Sequence, residues 1–94
     1  MPIRTPTRDD FLLELRSQFR RAQERGARYV TINAGELHRR VGGYPSRGGH
    51  RMPLCCDVMY RERRNGDEVI AAPPKGKGAS LTIRYGLPRE STNS

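Results

Sequence analysis

Apolar side chains in this chain are scarce and grouped, and the grouping leaves little choice in how a core is built. Phe11, Leu12, Leu15, Phe19 and Ala22 recur at helical spacing, as do Leu37 with Val41, and Leu54 and Cys55 with Val58 and Met59, the polar Glu62 falling on the same inward spacing. Residues 29–32, 67–72 and 80–85 are instead short stretches with the β-branched and aromatic character of strands. Only 34% of the 94 residues are apolar and Trp is absent, so three helices and three strands must share one small core.

The ends of these segments are marked by local chemistry. Thr7, three residues before Asp10, makes a capping-box pattern ahead of the first helix, and Gly26 stops that helix. Asn33, three residues before Glu36, caps a second helix that Gly42 and Gly43 end. Pro53 suits the first turn of a third, and Asn65-Gly66 closes it. Between the second and third helices, GGYPSRGGH (residues 42–50) is a loop by composition; PPKGKGA (residues 73–79) is the long basic tip of a hairpin. Residues 1–7 read as a flexible arm, 8–87 as the folded domain and 88–94 as a frayed tail.

Charge narrows the class of partner. Eighteen Lys and Arg against ten Asp and Glu give +8, and sixteen of the eighteen are Arg, whose planar fork of donors matches phosphate oxygens and the guanine edge. Residues 39–64 hold seven of these arginines against Asp57 and Glu62. An anionic partner is expected, nucleic acid first. No apolar run approaches the ~20 residues of a membrane span, and the first residues lack the apolar segment of a secretory signal, so the expected place is the cytoplasm, with the thiols reduced.

The order helix, strand, helix, helix, strand, basic loop, strand over residues 8–87 resembles the winged helix-turn-helix superfamily. That resemblance implies an α+β fold, with three helices packed on a small antiparallel sheet and a β-hairpin wing, and a function in binding duplex DNA, as a regulator or a DNA-targeting subunit. The segment between the second and third helices departs from it, since a helix-turn-helix turn has three or four residues and this one has about nine. In such a fold the third helix enters the major groove and the wing touches the backbone or minor groove. On these positions Arg47, His50 and Arg51 would meet base edges, Arg61, Arg63 and Arg64 phosphates, and Lys75 and Lys77 the backbone from the wing, with Arg39, Arg40 and Tyr60 on the same face. Homodimerisation would make a two-fold site natural.

Other chemistries fit less well. His38, His50, Cys55 and Cys56 lack the paired spacing of a metal site, so no metal or cofactor is expected. Cys55 should pack inside, and Cys56 should be partly exposed or at an interface, where neighbouring arginines could lower a thiol's pKa. Gly76-Lys77-Gly78 is no nucleotide-binding loop, and Asp67 and Glu68 point to opposite faces of a strand, so no enzyme is expected. Two further readings stay open: an RNA-binding or ribosome-associated basic protein, with Tyr44 or Tyr60 as stacking surfaces, and a winged-helix protein-interaction module.

Overall fold

Helix α1 (Arg8–Glu24) begins where its cap dictates. In the computed structural model, which describes residues 5–42 and 51–89, Thr7 Oγ1 accepts the Asp10 N–H at 3.2 Å and the Asp10 carboxylate accepts the Thr7 N–H at 2.8 Å. Phe11, Leu15, Phe19 and Ala22 form its buried stripe. At the far end Gly26 adopts φ +81°, a conformation that suits glycine, and the Gly26 and Ala27 N–H groups close on Gln23 and Ala22. Pro6, just before the cap, is buried.

Strand β1 (Tyr29–Asn33) runs without a break into helix α2 (Ala34–Val41). Asn33 makes the junction: its Oδ1 accepts the Glu36 N–H at 3.0 Å, and its Nδ2 donates to Thr82 Oγ1 at 3.1 Å. One side chain thus caps a helix and ties it to a distant strand. Helix α3 (Met52–Arg61) is followed by strands β2 (Glu68–Ala71) and β3 (Thr82–Gly86). Both β1 and β2 pair antiparallel with the central β3, giving the order β1-β3-β2, and a bulge at Val69–Ala71 turns Ile70 outward.

The chain is therefore a small α+β domain of three helices and a three-stranded antiparallel sheet. Ile83 and Tyr85 of the central strand, with Leu81 just before it, are buried against the helices, where Phe11, Leu15, Phe19, Leu37, Cys55 and Met59 complete the core. The Phe19 and Tyr85 rings meet at 4.8 Å, and the Tyr85 hydroxyl donates to the Met59 carbonyl at 2.8 Å.

Three packing expectations are corrected. Val41 is only half-buried, and His38 takes the enclosed place on α2, with the Phe11 ring edge-on to it at 4.9 Å. Cys56 is fully buried, not partly exposed, because α3 is covered on a second side by the 73–79 loop. Arg89 does not fray. Its guanidinium donates to Asp67 at 2.9 Å and to the Gly86 and Glu62 carbonyls, and it lies over the rings of Phe19 and Tyr85.

Asp67 and Arg89 expose 2% and 6% of their side chains, which sets this pair apart from the exposed ones such as Arg84 with Glu68. Burial alone would push the Asp67 carboxyl up; the Gly86 and Arg64 N–H groups and the Arg89 guanidinium outweigh it and hold it below its ordinary 3.8. Arg89→Ala should therefore cost about 3–5 kcal/mol in a urea titration at neutral pH, against about 0–1 for Arg84→Ala. The Asp67 contribution is complete above its ordinary pKa and fades as pH falls through the lower folded value, so Asp67→Asn should flatten the acid limb of the stability profile below pH 3.8.

Candidate nucleic-acid interface

Helix α3 decides which cations can act together, because it spans about 15 Å for ten residues and carries arginines at both ends. At its start, Arg51 occupies the N-cap position, and its backbone N–H donates to His38 Nε2 at 2.8 Å. That bond brings Arg51 beside the end of α2, where Arg39 and Arg40 are exposed. At its end, Arg61, Arg63 and Arg64 are all exposed. The Arg63 N–H closes the helix on Tyr60, and Arg64 is fixed by its N–H to Asp67 at 2.8 Å and its carbonyl to the Asp67 N–H. Arg16 reaches from α1 to Glu62 at 3.4 Å, so the α1 face that carries Arg16 and Arg20 borders this cluster.

Carboxylates are taken up elsewhere. Glu14 pairs with Arg21, Glu36 with Arg39, Asp57 with Lys77, Glu62 with Arg16, Asp67 with Arg89 and Glu68 with Arg84. Among the described residues no carboxylate comes within ion-pair distance of Arg40, Arg51, Arg61, Arg63, Arg64 or Lys75. The two ends of one helix and one loop thus hold part of the surplus charge; Arg8, Arg20, Arg25 and Arg28 are likewise exposed with no carboxylate within ion-pair distance among the described residues. Tyr44, Arg47 and His50 lie outside the described residues.

The 73–79 loop is held against α3. Tyr60 donates its hydroxyl to the Gly76 carbonyl at 2.5 Å, Cys56 Sγ accepts the Gly78 N–H at 3.3 Å, and the Ala79 carbonyl accepts the Gly35 N–H at 3.1 Å. The glycines serve this docking. Gly76 has φ +87°, and side chains at Gly78 and Gly35 would crowd Pro73 at 3.1 Å and the Ala79 carbonyl at 3.2 Å. Lys75 projects from a fixed loop, while Lys77 lies across the pair with Asp57 at 2.7 Å, which raises the pKa of the ammonium. The hydroxyl of Tyr60 is engaged inside the protein.

The outward strip of α3 that remains is narrow: Pro53, Leu54, Asp57 and Arg61. Neither thiol is activated. Burial pushes Cys55 up to about 12, and Cys56 is raised by burial, a rise that the Gly78 N–H only partly offsets. Among the described residues no three His, Cys, Asp or Glu side chains gather as metal ligands, and no helix is long and apolar enough to cross a membrane.

What sequence reasoning missed is the role of Gly35, of Cys56 and of His38, all of which act through residues distant in the chain. Releasing the loop should be measurable. Tyr60→Phe removes one hydrogen bond worth about 1 kcal/mol, so cleavage by a lysine-specific protease at Lys75 and Lys77 should quicken roughly fivefold; an unchanged rate would mean that the hydroxyl does not hold the loop.

Neither a protein-family model, nor a curated protein, nor a solved structure matches this chain, so its function has to be argued from the geometry above.

Proposed function

We propose that the chain binds duplex DNA as a winged helix-turn-helix protein, with α3 facing the major groove and the β2–β3 hairpin as the wing. The element order and a sheet with β3 at its centre support that topology. The observation that carries the reading is the set of exposed arginines without carboxylate partners at the two ends of α3, Arg51 at one and Arg61, Arg63 and Arg64 at the other.

Their spacing favours B-form DNA. A helix about 15 Å long places its terminal cations on a scale close to the roughly 12 Å width of the major groove, so the two clusters can meet phosphates on its opposite walls. The major groove of A-form RNA is deep and too narrow for side chains to read. Arg40 extends the first cluster, and Arg39 adds charge there although Glu36 engages it at 2.9 Å. Lys75 adds a contact from the wing, which on this geometry approaches the backbone as a fixed loop. A role as regulator or as DNA-targeting subunit belongs with this reading, as does a homodimer on a two-fold site.

Salt titration tests it. Each neutralised phosphate contributes about 0.9 to the slope of log affinity against log salt. Arg63→Gln with Arg64→Gln should weaken binding to all duplexes alike and reduce the slope by about 1–2, while Arg21→Gln, whose guanidinium is already paired with Glu14, should change it little. Duplex affinity that does not respond to salt, or structured RNA that outcompetes duplex DNA at equal salt, would defeat the proposal.

A further inference from the structure

The outward side of α3 bears a carboxylate where a phosphate-binding surface would be expected to carry none. Asp57 is the one acidic residue in the helix, it lies midway between the arginine clusters, and it holds Lys77 at 2.7 Å. A negative charge there repels backbone phosphate, so it lowers non-specific affinity.

Stability does not account for the pair. Asp57 and Lys77 expose 38% and 47% of their side chains, and water screens an exposed ion pair so that it adds little to stability. The loop is also held without it, by Tyr60 on Gly76, Cys56 on Gly78 and Gly35 on Ala79. Those bonds fall on both sides of Lys77, so the ammonium is placed by its neighbours and little freedom remains to be lost on binding.

Spare hydrogen-bonding capacity gives the pair its chemistry. Asp57 Oδ1 is engaged, whereas Oδ2 has no partner among the described residues, and an ammonium has three donors of which Lys77 uses one. An acceptor and a donor therefore stand side by side on an exposed ridge. In the major groove a C·G pair offers the complement: the cytosine amino group donates, and guanine O6 and N7 accept. An A·T pair also sets an amino group beside a carbonyl, but thymine offers one acceptor there with a methyl group next to it.

We propose that Asp57 and Lys77 act as a unit that reads one C·G base pair, the carboxylate accepting from cytosine and the ammonium donating to guanine. This rests on the duplex-binding reading, in which α3 lies at the major groove. The unit gives up general affinity for selectivity, since the carboxylate opposes phosphate anywhere but over a groove.

Selection from random duplexes at physiological salt, with the whole chain and with Asp57→Ala and Lys77→Met, tests the assignment. Thermal unfolding of both variants verifies that they fold. The wild-type chain should select a position fixed as C·G, with about tenfold preference over A·T in direct titration. Asp57→Ala, which removes both the charge and the acceptor, should lose that preference while binding random duplex more tightly, and Lys77→Met should lose it without that gain. Salt-dependent duplex binding with no C·G preference, or a preference that persists in Asp57→Ala, overturns the assignment and leaves the duplex reading standing. No duplex binding at all overturns both.

Discussion

Carbonyl groups at the end of α3 are satisfied from outside the helix, and the placement of the arginine cluster at that end follows from it. A helix leaves its final C=O groups without intrahelical partners. Here the Tyr85 hydroxyl donates to the Met59 carbonyl and the Arg89 guanidinium to that of Glu62, while Arg89 also neutralises the buried carboxylate of Asp67. Asp67 in turn accepts the Arg64 and Gly86 N–H groups. The turn that presents Arg63 and Arg64 is thus fastened to the central strand and to the residue that follows it in the chain, so these arginines stand on a fixed support.

The same helix is closed in on its other sides. Met52, Cys55, Val58 and Met59 face the core, and Cys56 and Tyr60 face the 73–79 loop. Full burial of such side chains contributes about 1.5–3 kcal/mol each, far more than any exposed ion pair here, so packing and not charge sets the orientation of α3. The arginines are carried by that packing and add little to it. Their freedom from internal partners is what leaves them able to meet an anion.

How much of this was legible depended on distance along the chain. The caps were readable because Thr7 with Asp10 and Asn33 with Glu36 act within three residues, where spacing alone fixes the geometry. The buried stripe of α1 was readable from its period for the same reason. His38 was not: a polar ring on an apolar face reads as core only once Phe11 and the Arg51 N–H, 27 and 13 residues away, are known to meet it. Arg89 sits in a polar terminal stretch, and nothing local distinguishes it from the residues after it. Its partners Asp67, Glu62 and Gly86 are assembled by the fold.

The glycines of the 73–79 loop show why the site was harder to read than the fold. The run Lys75-Gly76-Lys77-Gly78 is equally the signature of a loose tip that lets backbone approach a phosphate and of a loop that must itself lie close to protein. Only the contacts decide, and the Pro73 ring against Gly78 and the Ala79 carbonyl against Gly35 decide for the second. The consequence for recognition is a shift from affinity toward selectivity. A mobile cationic tip can follow phosphates on any sequence, whereas a docked one offers Lys77 at a single place, beside the one carboxylate that α3 carries.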